Sequence, residues 1–258
     1  MSDAIARRPG GALRQRWELG EAVRGAWSVT ASPLLVEAAA QGGVDYVCAD
    51  LQHGVLSTSA LLGAFQAARA GGASPMVRPP DRDPDRIGKI LDMGAAGLIV
   101  PMVDSPEDAA AVMAATRYPP RGRRSFGPVR ASMLTGARDP SLLEDVVIAV
   151  MVETRSGLGQ VDAIAATPGI DAVYVGPVDL SLALDLPPAY AHEGGEHEKA
   201  LSRILEACSN AGIVAGIHCA DGEMAAARLS QGFRMVTVAN DLQLVAAGVA
   251  RELARCRE

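Results

Sequence analysis

Apolar residues recur along the chain in eight short, continuous runs, and each run is followed by a segment in which apolar residues recur with helical spacing. A strand buried on both faces is aliphatic throughout, as in a parallel sheet covered by helices. The runs lie near 25–29, 44–49, 74–78, 97–101, 147–153, 172–176, 213–218 and 235–239. Eight alternating units favour an α/β fold that closes into a (β/α)8 TIM barrel over an open doubly wound sheet.

Local signals mark where the helices begin and end. Serine or aspartate, often followed by proline, precedes each predicted helix, and glycine follows most of them. These signals predict helices over 33–42, 57–70, 84–94, 106–117 and 222–231. A further helix within the N-terminal segment 1–22, over about 11–22, is expected to cap the bottom of the barrel. Two irregular stretches interrupt the alternation, 118–140 and 185–197, and we expect the first to be an insertion that shapes the active-site rim.

Composition narrows the class of protein. A chain of 258 residues with 49% hydrophobic content suits a single barrel domain spanning 1–258. A net charge of -6 and only 3% aromatic residues argue against nucleic acid as a partner. The four cysteines form no C-x-x-C pair, and no apolar run approaches the ~20 residues of a membrane span. We therefore expect a soluble cytoplasmic protein with reduced thiols and no membrane partner.

Two carboxylates follow neighbouring predicted strands. Glu153 closes the run 147–152, and Asp179 comes just after the run 172–178. Because the carboxyl ends of barrel strands open onto the ligand site, these acids are placed for chemistry. They form an all-oxygen pair suited to a hard divalent ion. The alternative, acids that cap backbone amides or pair with arginine, stays open at this point.

Other strand ends carry a base and a cation. His53 lies three residues beyond Asp50, which predicts a general base oriented by a carboxylate. Arg78 precedes two prolines that hold the backbone extended, so its guanidinium is expected at the mouth of the third strand. His218 ends the seventh strand and is expected to line the pocket.

The remaining charged residues are less informative. Arg124, in the irregular segment, is a candidate for binding an anionic substrate, although exposed arginines are more often solvated. His192 and His197 lie in a polar loop, where we expect solvation. The chain has only Lys89 and Lys199, both in helical patterns, whereas a Schiff-base lysine must be desolvated inside the barrel. Imine catalysis is therefore disfavoured, and Lewis-acid chemistry by a metal is favoured.

Several motifs together resemble a known family, the HpcH/HpaI metal-dependent (class II) pyruvate aldolases of the 4-hydroxy-2-oxoheptanedioate aldolase type. The resemblance covers nearly the whole chain. The motifs are Gly25-Ala26-Trp27, Asp50-Leu51-Gln52-His53-Gly54, Val77-Arg78-Pro79-Pro80, Gly97-Leu98-Ile99-Val100-Pro101-Met102-Val103, Met151-Val152-Glu153-Thr154 and Gly176-Pro177-Val178-Asp179-Leu180-Ser181.

The resemblance implies a barrel that cleaves or forms a bond between pyruvate and an aldehyde, and a hexamer, a trimer of dimers, with exchanged C-terminal helices. It implies a divalent metal, Mg²⁺, Mn²⁺ or Co²⁺, on Glu153 and Asp179. Arg78 would steady the enolate, and His53, oriented by Asp50, would act as base. The implied substrate contacts further include Trp27, Gly176, Pro177 and Val178. Asp92 resembles a carboxylate that approaches a neighbouring subunit's site.

This chain departs from many members of that family. Gln52 stands where many have glutamate, Asp81-Arg82 replaces a Trp-Asn pair, and the loop 123–128 differs. These positions put the choice of aldehyde in doubt. Three functions remain open: retro-aldol cleavage of a 4-hydroxy-2-oxoacid, oxaloacetate decarboxylation or another enolate-forming lyase reaction, and a non-catalytic barrel that binds a 2-oxoacid.

Overall fold

A computed structural model of the chain describes residues 8–192 and 194–256. Its strands are β1 (Val23–Ser28), β2 (Tyr46–Asp50), β3 (Ser74–Arg78), β4 (Gly97–Val100), β5 (Val147–Val152), β6 (Ala172–Val175), β7 (Val214–His218) and β8 (Met235–Asn240). Its helices are α1 (Gly11–Glu18), α2 (Pro33–Gln41), α3 (Leu61–Ala70), α4 (Pro84–Asp92), α5 (Pro106–Thr116), α6 (Val129–Thr135), α7 (Pro140–Leu143), α8 (Arg155–Gly159), α9 (Val161–Ala165), α10 (Pro177–Ala183), α11 (Gly195–Ala211), α12 (Gly222–Gln231) and α13 (Asp241–Arg255).

The eight strands form a closed parallel barrel in chain order, which confirms the predicted fold. Each strand pairs with the next, and β8 pairs with β1. Strands β2, β4, β5 and β6 are buried along their whole length, as their aliphatic sequences require. Within the described residues, no helix is long and apolar enough to cross a membrane.

Most of the predicted helix starts are confirmed by side-chain caps. Asp83 accepts backbone N–H bonds at the start of α4, Ser105 does so for α5 and Asp221 for α12. The predicted helix over 57–70 is wrong in its first turn, because a single 3₁₀ turn covers Thr58–Ala60 and α3 begins only at Leu61. The hydroxyl groups of Ser57 and Ser59 bond to each other there, and such local side-chain bonds compete with helix.

Helix α1 covers the N-terminal end of the barrel, as predicted from the sequence. Its residue Leu13 packs into the barrel core and is 1% exposed. Arg14 donates two hydrogen bonds to Asp171, of 2.7 and 2.9 Å, and also pairs with Asp145. Asp171 directly precedes β6 and Asp145 lies two residues before β5, so the arginine connects the helix to the bottom of the sheet. The opposite, C-terminal end is left open.

Large buried side chains fill the barrel interior. Tyr46 and Tyr174 are fully buried, and the Tyr46 ring occupies the space where a side chain at Gly25 would lie, 2.1 Å from the position of its Cβ. Both phenol oxygens contact the hydroxyl of Thr237, at 3.1 Å for Tyr46 and 2.6 Å for Tyr174. One threonine thus satisfies two buried hydroxyl groups.

Replacing Thr237 with valine keeps the side-chain shape but leaves two buried phenols without this partner. We expect the free energy of unfolding to fall by about 1–3 kcal/mol, as measured by urea denaturation. Thr167→Val is the control, since its hydroxyl bonds a helix carbonyl at the surface, and a change within about 0.5 kcal/mol is expected. Equal stability of the two variants would contradict this role for Thr237.

Candidate active site

Strand register brings the candidate residues to the open end of the barrel. Asp50 pairs with Arg78 across β2 and β3, and Trp27 pairs with Asn240 across β1 and β8. On the opposite side, Val152 pairs with Val175, so Glu153 and Gly176 follow directly as neighbours. Residues that lie far apart in sequence therefore meet at one mouth, because parallel strands all end there.

Asp50 is the most heavily bonded group of the site. It is 1% exposed and accepts hydrogen bonds from Arg78 Nε at 2.8 Å and Arg78 Nη2 at 2.6 Å. Trp27 Nε1 donates to the same carboxylate at 3.2 Å. Burial raises the pKa of Asp50, but the hydrogen bonds and charge of Arg78 outweigh it and lower that pKa overall. Asp50 is therefore an anion that fixes the guanidinium in the cavity wall.

This arrangement corrects one prediction about His53. Asp50 was expected to orient the imidazole, but it contacts His53 only through the backbone N–H, at 3.2 Å. The planar guanidinium of Arg78 matches the carboxylate in geometry and charge, and it donates one hydrogen bond to each of the two carboxylate oxygens. The His53 side chain is exposed and lines the cavity. The imidazole therefore lines the cavity but is not oriented by Asp50.

Glu153 lies buried behind the segment Gly176–Asp179. Its Oε1 accepts a 2.9 Å hydrogen bond from the backbone N–H of Met102, a residue held in the left-handed region with φ of 57°. The pKa of Glu153 is raised to about 7 overall. Burial raises this pKa most, the hydrogen bond from Met102 lowers it, and the nearby charge of Asp179 raises it. The two acids are thus close enough to repel each other.

Gly176 opens the space between them. A Cβ at this position would lie 2.4 Å from Glu153 Oε2, so only glycine lets the carboxylate oxygen approach. Two neighbouring carboxylates, one buried and with its pKa raised, are a donor set that a hard cation stabilises. The described residues contain no group of three or more histidine, cysteine, aspartate or glutamate side chains suited to a metal. Glu153 and Asp179 would supply two carboxylate ligands to such an ion.

Hydrogen bonds from His197 and Ser181 stabilise the backbone of the segment Gly176–Asp179. His197 is fully buried, which corrects the expectation that it is solvated, and its Nε2 donates to the Pro177 carbonyl at 3.2 Å. Ser181 donates to the same carbonyl at 2.8 Å. His192 lies against Ser181 at 3.1 Å. These bonds hold the turn that carries Asp179.

One cavity of about 310 Å³ joins these groups. Its lining includes nine predicted residues, namely Trp27, Asp50, His53, Arg78, Gly176, Pro177, Val178, Asp179 and His218. It also includes Val29, Met151, Tyr190 and Asn240, which the sequence reasoning missed. Asn240 ends β8 and obeys the same strand-end rule as the others, whereas Tyr190 comes from the irregular stretch 185–197, where the sequence gives no positional signal.

Arg124 does not line this cavity, which corrects the prediction that it binds an anionic substrate. Its side chain is fully buried, 4.7 Å above the ring of Tyr118. Its Nη2 donates to Asp92 at 2.7 Å. The ring and the carboxylate together compensate the buried guanidinium, so it is not available to an anion in the cavity.

The raised pKa of Glu153 predicts a pH dependence of stability in metal-free protein. Its pKa is about 7 when folded against 4.5 ordinarily, so the folded state holds the proton more tightly. This contribution to the free energy of unfolding is complete below pH 4.5 and is lost as pH rises through 7, by on the order of 3 kcal/mol. The measurement is urea unfolding as a function of pH, and the result is the difference in the free energy of unfolding between wild type and Glu153→Gln.

The comparison with Glu153→Gln is needed because the titration of His218 changes the free energy of unfolding with pH in the opposite direction. Burial lowers the pKa of His218 to about 4, so its contribution to stability rises with pH from 4 to 6.5. Both proteins contain His218, and subtraction removes its effect. Stability curves of wild type and Glu153→Gln that run parallel from pH 4.5 to 7 would contradict the raised pKa of Glu153.

The sequence profile of the family described as HpcH/HpaI aldolase/citrate lyase matches residues 24–247. The chain belongs to this family. The match confirms the resemblance. It covers all eight strands apart from Val23, the first residue of β1.

Individual relatives agree with this assignment. The chain is 36% identical to a hydroxypyruvate/pyruvate aldolase of Rhizorhabdus wittichii, over 95% of this chain and 98% of that protein. It is 33% identical to a 2-keto-3-deoxy-L-rhamnonate aldolase of Klebsiella pneumoniae, over 91% of this chain and 89% of that protein. The solved structure of a HpcH/HpaI aldolase/citrate lyase family protein from Burkholderia cenocepacia superimposes with a TM-score of 0.86 at 30% identity, over 95% and 99% of the two chains.

Proposed function

We propose that this chain is a class II pyruvate aldolase, which reversibly cleaves a 4-hydroxy-2-oxoacid to pyruvate and an aldehyde. The observation that carries the proposal is the cavity that is lined by both Arg78, fixed by Asp50, and Asp179, with Glu153 next to its lining residue Gly176. The named aldolases among the relatives support the same carbon–carbon lyase chemistry.

Retro-aldol cleavage needs a base, an anion stabiliser and no external electrons. The proton of the 4-hydroxyl is removed, the C3–C4 bond breaks, and its electron pair remains on C3 as the enolate of pyruvate while the aldehyde leaves. The exposed imidazole of His53 in the cavity wall is the group assigned to the proton, directly or through a water. Arg78 stabilises the oxygen on which negative charge develops, and C3 is then protonated to give pyruvate.

Glu153 and Asp179 would hold the divalent metal ion. When bound there, Mg²⁺, Mn²⁺ or Co²⁺ would supply Lewis-acid polarisation of the 2-oxo group. The alternative source of such polarisation, an imine with lysine, lacks a candidate, because Lys89 lies in α4 and Lys199 in α11 and neither lines the cavity.

Assembly and location are further parts of the proposal. Helix α13 has no buried residue, and its apolar side chains Leu244, Val249 and Leu253 are more than half exposed. An exposed apolar stripe of this kind suits the exchange of C-terminal helices within a hexamer, a trimer of dimers. In that assembly Asp92, which is partly exposed beside Arg124, would approach a neighbouring subunit's site. We place the enzyme in the cytoplasm and take 1–258 as one domain.

Comparing substrates separates the proposal from its alternatives. Purified enzyme with added Mn²⁺ is expected to release pyruvate from 4-hydroxy-2-oxoacids with a higher kcat/KM than from oxaloacetate. Both reactions pass through the enolate that Arg78 faces, so some decarboxylation is expected as well. A higher kcat/KM for oxaloacetate would reassign the enzyme as a decarboxylase, and pyruvate binding without turnover of either substrate would favour a binding protein.

A further inference from the structure

Three uncharged polar side chains line one side of the cavity, and their polar groups facing it are not used by the protein. The imidazole of His218 lies edge-on to Trp27, with ring centroids 4.8 Å apart, and stacks on Tyr190 at 5.9 Å. Among the described residues, neither the His218 ring nitrogens nor the Tyr190 hydroxyl has a hydrogen-bond partner, although both side chains line the cavity. We call His218, Tyr190 and Asn240 the neutral wall.

Asn240 presents a defined end of its amide to this wall. Its Oδ1 accepts the backbone N–H bonds of Leu242 at 3.1 Å and Gln243 at 3.4 Å, as the N-cap of α13. The amide nitrogen is therefore turned away from the helix, and it has no partner among residues 8–192 and 194–256. The neutral wall thus offers a fixed N–H donor beside an imidazole and a phenol that both donate and accept.

The neutral wall carries no positive charge at neutral pH. Burial, followed by the charge of Arg78, lowers the pKa of His218 to about 4, so the imidazole is uncharged. Arg78, the one arginine among the described residues that line the cavity, is paired with Asp50. A second carboxylate on the substrate would therefore lose hydration here without gaining an unpaired cation.

The neutral wall runs from a buried to a partly exposed part of the cavity. His218 contacts Trp27, which is 3% exposed, on one side, and stacks on Tyr190, which is half-buried in the loop after α10, on the other. The reacting carbons must lie between Arg78 and the two acids. The part of the substrate that continues toward solvent, which becomes the aldehyde, passes along the neutral wall.

We propose that His218, with Asn240 and Tyr190, binds the hydroxyl groups of the aldehyde portion, so that the enzyme prefers a neutral hydroxyaldehyde to an aliphatic or a carboxylated one. This inference rests on the proposed aldolase function. It assigns His218 to recognition of the aldehyde rather than to bond cleavage.

The test measures kcat/KM for aldol addition of pyruvate to three aldehydes. Pyruvate is the donor throughout, so that only the aldehyde differs: glyceraldehyde carries hydroxyls, propanal has the same chain length without them, and succinic semialdehyde carries a carboxylate. Wild type is expected to favour glyceraldehyde over both others by at least about tenfold, because a hydrogen-bonding site left unpaired disfavours the analogue. His218→Leu is expected to lower the ratio of glyceraldehyde to propanal by about tenfold.

Two further variants separate recognition from a structural role. His218→Gln retains a donor and an acceptor and is expected to keep most of the preference. Asn210→Leu replaces an exposed polar side chain of α11 that lies outside the cavity, and the ratio is expected not to change. A ratio that stays constant in His218→Leu, or a wild type that favours succinic semialdehyde, would overturn the inference while leaving the aldolase intact. Failure to join pyruvate to any aldehyde would overturn the proposed function as well.

Discussion

Replacing Glu153 with glutamine is expected to lower metal-dependent pyruvate release by about 10³-fold or more. Glutamine keeps the shape of the side chain and the oxygen that accepts the Met102 N–H bond, so the backbone of Met102 stays in place. It removes the negative charge that, with Asp179, would hold the cation. We expect the affinity for Mn²⁺, measured by titration calorimetry, to fall together with the activity.

A matched control is available on the same face of the barrel. Asp185 is 92% exposed, pairs with Arg155 and has φ of 60°, a conformation that asparagine also accepts. Asp185→Asn removes one carboxylate from the rim and is expected to leave activity and Mn²⁺ affinity close to wild type. Full activity in Glu153→Gln would contradict the assignment of Glu153, and equal losses in both variants would indicate a general charge effect.

Replacing Arg78 with lysine is expected to lower kcat by about 10²-fold although the charge is retained. The guanidinium makes two hydrogen bonds to Asp50 and lies 5.0 Å from the ring centroid of Trp27, which fixes its direction. An ammonium group lacks the planar fork and cannot bind the carboxylate and face the developing enolate oxygen in the same way. Steady-state kinetics with a 4-hydroxy-2-oxoacid measure the effect.

Arg86→Lys is the control for this exchange. Arg86 is 59% exposed and pairs with Asp81 outside the cavity, so a change in kcat of less than about twofold is expected. Thermal unfolding of both variants shows whether the loss in Arg78→Lys follows from instability. A kcat for Arg78→Lys close to that of wild type would show that a fixed guanidinium is not needed.

Much of the fold and of the site was predictable because both follow from one rule. Continuous aliphatic runs identify strands buried on two faces, and the residues after those runs lie at the open end of the barrel. This rule located Asp50, Arg78, Glu153 and His218 from their positions alone. Asn240 follows the same rule at the end of β8 and was overlooked there.

The partners of these residues were not predictable in the same way. Sequence proximity suggested that Asp50 serves the His53 imidazole, but register places Arg78 beside Asp50, and the charged fork binds more strongly. Arg124 is a candidate for binding an anionic substrate on sequence grounds because it lies in the irregular segment 118–140 and carries a cation. Its burial against Tyr118 depends on how the segment 118–140 folds back, which no local pattern specifies.

Tyr190 and His197 show the same limit within the stretch 185–197. His197 is polar and follows two glycines, which favours solvent, yet the N-terminal turn of α11 buries it against the Pro177 carbonyl. Tyr190 reaches the cavity only because the loop after α10 lies over its mouth. Long-range packing decides both positions, and periodicity carries no information about it.

The central claim is that the carboxylate pair holds a metal required for carbon–carbon cleavage, and one measurement tests it most directly. Enzyme stripped with chelator is assayed for pyruvate release from a 4-hydroxy-2-oxoacid, before and after Mg²⁺, Mn²⁺ or Co²⁺ is returned. The account predicts that release is lost on stripping, is restored by at least one of these ions, and is not restored in Glu153→Gln. Undiminished release from fully stripped enzyme would contradict it.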